Sequence, residues 1–212
     1  MQTAVVEASQ IAALAPKLQT NGALVVMPAT DEAMAKKAMQ LAAARADAPG
    51  LLLVVMDQER MGLVKVHNLV FKHSDSPWYG YIAQDAFAGR HWLSQALDAV
   101  QKANASLIGF NDGKWQGQIA AFGLAKRAWV RSVYEGDFFF AGYQSHYADV
   151  ELTLIAREQA QYAYDPNAVM VEVDWDKDRA SVNVADKSLY KTRAQSGFAG
   201  RVQSQQLREL VS

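Results

Sequence analysis

Short blocks of branched apolar residues recur along the first half of the chain, each followed by a stretch with helical spacing. ALVVM at 23–27 follows the turn pair Asn21-Gly22 and stops at Pro28, so it reads as a buried strand. From Asp31 to Arg45 the residues are helix formers, with Met34, Ala38, Leu41 and Ala42 on one face and acids in the first turn. Ala48-Pro49-Gly50 ends that helix. LLLVVM at 51–56 is apolar at every position, the pattern of a parallel strand covered on both faces, and it runs into Asp57. Leu63 to Lys72 predicts a second helix, WYGYIA at 78–83 a third strand ending at Gln84-Asp85, Trp92 to Ala103 a third helix, and Ser106 to Phe110 a fourth strand.

This alternation predicts an α/β domain with a mostly parallel sheet and right-handed crossovers, in which ligands sit beyond the carboxyl ends of the strands. Asp31, Asp57 and Asp85 stand at three such ends. After residue 111 the pattern becomes more irregular and reads as α+β. A Gly-punctuated stretch comes first, then a helix from Asp149 to Gln159 and a strand pair split by Asp165-Pro166-Asn167. From Asp174 onward apolar positions are scattered, which predicts a flexible or partner-covered tail. The chain therefore divides into a lead-in with helix at 1–22, one domain at 23–175 and a polar tail at 176–212.

Composition narrows the function classes. The chain has 212 residues, half of them apolar, so it can bury a full core without staples. With no Cys, disulfide scaffolds and thiolate metal sites are excluded. A net charge of −1 removes the basic excess that a bulk nucleic-acid surface needs. No apolar run reaches the ~18 residues of a membrane-spanning helix, and the N-terminus lacks a signal-peptide pattern, so a cytoplasmic protein is expected. Neither phosphate-binding Gly motif occurs at a strand-to-helix turn, and His67, His73, His91 and His146 show no zinc-site spacing. His146, in the loop before Asp149, reads as a solvated loop residue within reach of a substrate.

Acids at strand ends remain, and with them a resemblance. WYGYIAQDAFAGRHWLSQALDAVQKANASLIGF, 78–110, looks like the nucleotide-sugar half of GT-A glycosyltransferases of the family-2 type. In those proteins a strand ends in acidic or amide residues and a Trp-Leu pair then opens a helix. ALVVMPATDE, 23–32, resembles their first strand and turn, LLLVVMDQE, 51–59, their second strand, and VHNLVFKHSDSPWYGYIAQD, 66–85, their Asn-containing helix and metal-binding strand. SHYADVELTLIAREQAQYAYDPNAVMVE, 145–172, resembles the segment in which an acid opens a helix and a Tyr-x-Pro-x-Ala-Val strand follows. The likeness spans about residues 23–175.

The resemblance implies a GT-A-like fold and transfer of a sugar from a nucleoside diphosphate to an acceptor of unknown identity, with inversion and a divalent cation, Mn²⁺ or Mg²⁺. It places the donor among Pro28, Thr30, Asp31, Asp57, Asn68, Gln84 and Asp85. It makes Asp85 a metal ligand, with Glu172 or Asp174 standing in for the His that relatives carry, and it makes Asp149 the catalytic base. These residue types suit that chemistry. Oxygen ligands hold hard cations that neutralise a leaving diphosphate, and a carboxylate on the far side of the sugar can take the acceptor's proton.

Two other readings stay open. One is a non-catalytic GT-A-like binding or assembly protein, and the other a nucleotidyltransferase, which also uses acids at strand ends. Phe138-Phe139-Phe140, three consecutive rings in a Gly-flanked loop, are expected to turn partly outward, toward an acceptor groove or a subunit contact. The few residues after 175 lead to the further expectation that a second subunit or a partner protein completes the acceptor site.

Overall fold

A computed structural model of the chain describes residues 1–173 and 182–210. Among these residues the strands are β1 (Gln2–Glu7), β2 (Ala23–Ala29), β3 (Gly50–Met56), β4 (Trp78–Tyr81), β5 (Ala86–Ala88), β6 (Leu107–Asn111), β7 (Gly123–Lys126) and β8 (Tyr162–Glu172). The helices that position the site are α1 (Ile11–Leu14), α2 (Glu32–Arg45), α3 (Leu63–Lys72), α4 (Trp92–Lys102), α5 (Arg127–Tyr134), α6 (Ala148–Glu158) and α7 (Val184–Gln195).

The strands join in one sheet of order β1-β3-β2-β4-β7-β6-β8-β5. The pairs β1–β3, β3–β2, β2–β4 and β6–β8 are parallel, while β7 runs against both β4 and β6, and β5 against β8. The predominantly parallel α/β sheet expected from the alternation is therefore present. Its strands are apolar on both sides because both sides are covered. Leu24, Val26, Leu53 and Val55 join a core with α3, α5 and α6, whereas Val25, Met27, Leu52 and Val54 join one with α2 and α4.

The helix and strand boundaries follow local chemistry. Asp31 caps α2, its carboxylate accepting the Met34 N–H at 2.9 Å. Pro28 lies inside β2 and not at its end. The β2–β4 pairing stops at Val26↔Tyr81, so no ladder partner needs the N–H that Pro28 lacks.

Four further expectations change. The lead-in begins with β1, an edge strand that pairs on one side only, as the weak pattern QTAVVE allows. The strand pair at 162–172 is one strand, and a register shift between Gly109 and Asn111 absorbs the Asp165-Pro166-Asn167 turn.

Residues 182–210 are not a loose tail where they are described. Tyr190, Phe198 and Val202 are buried in the core, and α7 is tied to the body of the protein by two carboxylate clamps described below. Phe138 and Phe139 are fully buried and Phe140 packs against the core. Asn68 makes this inward turn feasible. Its Oδ1 accepts the N–H groups of Phe138 and Phe139 at 3.0 and 2.9 Å, and its Nδ2 donates to the Phe139 carbonyl at 3.0 Å. With its backbone satisfied away from water, the loop can send both rings against Tyr79 and Tyr81.

Candidate functional site

The carboxyl ends of β2, β3 and β4 are laced together. The Asp57 N–H donates to the Ala29 carbonyl at 2.8 Å, and the Gln84 Oε1 accepts the N–H groups of Thr30 and Asp31 at 2.8 and 2.9 Å. Pro28, Thr30, Asp31, Asp57, Gln84 and Asp85 thus stand at one edge of the sheet, as expected for a parallel α/β domain. Their side chains are already engaged to different degrees. Asp57 is buried and its two oxygens accept the Met61 and Gly62 N–H groups at 2.9 and 3.0 Å. Gly62, at φ +95°, opens α3 there, and a Cβ on it would stand 2.8 Å from the Gln144 carbonyl oxygen. Asn68 is spent on the 138–139 loop.

β5 brings the second half of the site in. Ala86 pairs with Glu172, so the end of β8 lies beside the turn that carries Asp85. Glu172 and Asp149 then border one cavity of about 420 Å³, together with Lys114, Trp115, His146 and Tyr147. Asp174 lies outside the described residues. Among the described residues no group of three or more His, Asp or Glu side chains is arranged to hold a metal ion by itself.

The carboxyl of Asp149 is perturbed by its surroundings. It sits in the first turn of α6, after Tyr147 in a left-handed conformation with φ 66°. Burial pushes its carboxyl up to about 6, the first amides of the helix pull it back, and the carboxylates of Asp112 and Glu172 push it up again. It therefore releases its proton just below neutrality, which suits a general base.

Two carboxylates behind the cavity fix this loop. Asp186, buried on α7, accepts N–H groups from Gln144, Ser145 and His146 at 2.9, 2.9 and 2.8 Å. Glu151, two residues beyond Asp149 and fully buried, takes both arms of Arg193. His146 is half-buried and borders the cavity instead of standing in open solvent.

Sequence reasoning missed Asp112, Lys114 and Trp115, which follow β6. The signal was present, because Asp112 is an acid at a strand end like Asp31, Asp57 and Asp85. Its Oδ1 accepts the Lys114 and Trp115 N–H groups at 2.9 and 2.8 Å, shaping the loop that forms one wall. Asp186 and Arg193 carried no such signal, since their partners lie about forty residues away. No helix among the described residues is long and apolar enough to cross a membrane.

No protein-family model matches the chain, and no curated protein matches it in sequence. Solved structures do match. Staphylococcus aureus TarS 1-349 in complex with UDP-GlcNAc superposes with a TM-score of 0.60 at 10% identity, covering 85% of this chain and 69% of that one. Glucosyl-3-phosphoglycerate synthase from Mycobacterium tuberculosis, in complex with Mg²⁺ and UDP, gives 0.59 at 12% identity, covering 93% and 85%. The mannosyltransferase PcManGT from Pyrobaculum calidifontis, with GDP-Man and Mn²⁺, gives 0.54 at 15% identity, covering 82% and 61%. Against the longer TarS structure, the match spans 41% of that protein's chain. These neighbours are glycosyltransferases, and the chain has their GT-A fold.

Proposed function

We propose that this protein transfers a sugar from a nucleoside diphosphate to an acceptor hydroxyl, with inversion at the anomeric carbon. The observation that carries the reading is the position of Asp149. It is a carboxylate held near neutrality in a cavity shared with Glu172, at the carboxyl edge of a GT-A sheet. In the reaction, the acceptor oxygen attacks the anomeric carbon as its proton passes to Asp149. The bond to the diphosphate oxygen breaks, and the nucleoside diphosphate leaves from the opposite face.

Asp85, which precedes the partner of Glu172 in the β5–β8 pairing, and Glu172 itself are the residues proposed to hold a divalent cation. Two carboxylates suit a hard cation that draws its remaining ligands from water and from the phosphates of the substrate, and such a cation would neutralise the leaving diphosphate. The nucleoside is proposed to lie along Pro28–Asp31 and the end of β3.

One observation favours a second reading, a binding protein on the same framework. Asp57, Asn68 and Gln84 all spend hydrogen bonds within the protein. Thermal melting with UDP-GlcNAc, GDP-mannose, UDP and GDP, with and without Mg²⁺, tests the donor site. Ligand at a hundred times its dissociation constant adds about 2.7 kcal/mol of stability. The transferase reading expects a cation-dependent rise with a nucleotide sugar, followed by slow release of the nucleotide. A rise without turnover in any acceptor mixture favours the binder, and no rise with any nucleotide removes both.

A further inference from the structure

The residues proposed to hold the nucleotide and those around Asp149 occupy different ground. Among the described residues, Pro28, Thr30, Asp31, Asp57, Gln84 and Asp85 do not border the cavity of about 420 Å³, whereas Asp149 and Glu172 do. With the nucleoside outside it, the cavity is left to the transferred sugar and to the acceptor. What its wall offers therefore bears on the chemistry of the acceptor, which the GT-A fold by itself leaves open.

Much of that wall is apolar and reachable. Leu63, Ala83, Trp115, Ala121 and Tyr147 are half-buried, Val182 is exposed, and all six border the cavity. Trp115 and Tyr147 both pack against the core, and Tyr147 is stacked on Tyr190 with ring centroids 4.8 Å apart, so the two rings are held as fixed surfaces. Partners for hydroxyls are fewer. The Tyr81 hydroxyl, also on the wall, already donates to the Ala120 carbonyl at 2.7 Å. A polyol acceptor would bring several hydroxyls to polar groups that the transferred sugar must also use, and each buried hydroxyl left unpaired weakens binding.

Charge narrows the class further. The carboxyl groups of Asp149 and Glu172 border the cavity, and that of Asp112, itself buried, acts on Asp149 from behind. Against these, Lys114 is the one lysine or arginine among the described lining residues, and its ammonium lies 5.3 Å from the centre of the Trp115 ring. A divalent cation and a diphosphate would cancel one another, so a loaded site keeps this acidic excess. A phosphate or carboxylate on the acceptor would enter against it.

We propose that the acceptor is an uncharged alcohol with an apolar body, seated against Trp115 and Tyr147 with its hydroxyl at Asp149. The hydroxyl oxygen bonds to the anomeric carbon as its proton passes to Asp149 and the bond to the diphosphate oxygen breaks. The products are a glycoside of the apolar alcohol and a nucleoside diphosphate. The inference rests on the transferase reading above.

The test supplies Mg²⁺, whichever of UDP-GlcNAc and GDP-mannose raises the melting temperature, and one acceptor at a time. Benzyl alcohol and 1-hexanol form one arm, glycerol and glucose a second, and glycerol 3-phosphate a third. Products are identified by mass spectrometry and acceptor binding by saturation-transfer NMR. Benzyl alcohol and 1-hexanol are expected to bind, and to be glycosylated about tenfold faster than the other arms at equal concentration. Trp115→Ala is expected to weaken their binding about tenfold and to leave the melting shift with the nucleotide sugar unchanged. Faster transfer to glycerol, glucose or glycerol 3-phosphate overturns the inference and leaves the transferase reading standing. If no acceptor is glycosylated, saturable binding of benzyl alcohol that Trp115→Ala weakens upholds the apolar seat, and lack of such binding overturns it. No melting shift with any nucleotide removes the transferase reading and this inference with it. Should Trp115→Ala fail to fold, the wild-type ranking of the three arms decides.

Discussion

Arg193 grips both oxygens of Glu151, its Nε 2.6 Å from Oε2 and its Nη2 2.6 Å from Oε1. Glu151 also accepts the hydroxyls of Tyr143 and Tyr134 at 2.9 and 3.3 Å, and the guanidinium lies 3.4 Å over the ring of Phe140. Removing the cation strands a charge with no exposure to water. Arg193→Ala is expected to lose about 3–5 kcal/mol, read as a lower urea midpoint. Arg193→Lys should not restore it, because an ammonium cannot offer the two-armed fork.

Asp186 gives the second clamp a different signature. Without its carboxylate, three amides at Gln144, Ser145 and His146 lose their acceptor. Asp186→Ala is expected to cost about 1–3 kcal/mol and to speed hydrogen exchange at those three amides while the β2–β3 ladder keeps its protection. Equal acceleration in both places would mean that Asp186 supports the whole fold and not this loop.

The carboxyl of Asp149 links rate to acidity. As a base it must be ionised, so transfer is expected to fall as pH drops through about 6 and to level off above it. Asp149→Asn should lower turnover by about 10²–10⁴.

Stability runs the other way. The folded carboxyl binds its proton more tightly than an unfolded one, so its favourable contribution is full below the usual carboxylate range and is lost as pH rises through about 6. At neutral pH Asp149→Asn is therefore expected to be more stable than wild type, by about 3 kcal/mol at most. Melting curves of both proteins at acidic and neutral pH would show the difference shrink on acidification.

Asp85 precedes Ala86, the residue that pairs with Glu172, and the two carboxylates are proposed to hold the cation. Asp85→Asn combined with Glu172→Gln should remove the part of nucleotide-sugar stabilisation that depends on Mg²⁺ and leave the part measured in EDTA. Calorimetric titration with and without the cation checks this. A double variant that keeps its full cation dependence would show that the cation is held elsewhere.

Much of the framework could be read from residues that act locally. β3 is apolar throughout because both faces are covered, and Asp31 is where α2 begins because its side chain caps that helix. The acids at strand ends lie along one edge because a parallel sheet gathers the carboxyl ends of its strands there. What those side chains bond was not legible. Gln84 reaches back 54 residues to Thr30, and Asn68 reaches forward 70 to Phe138, pairings that no spacing rule contains. The last segment misled for a related reason. α7 is anchored largely by Asp186 and Arg193, charged residues that in a sequence look like a solvated surface. The three phenylalanines misled because a loop with its amides satisfied by Asn68 is freed from the alternation that regular elements impose.

The clamps also order events in time. Every described strand of the sheet has been synthesised once residue 172 has left the ribosome, yet the loop before Asp149 acquires its acceptor only with Asp186, and Glu151 its counter-charge only with Arg193. A nascent chain can hold a finished sheet while the wall beside Asp149 is still unfixed. The loop before Asp149 is therefore fixed only about twenty residues after the last described strand of the sheet.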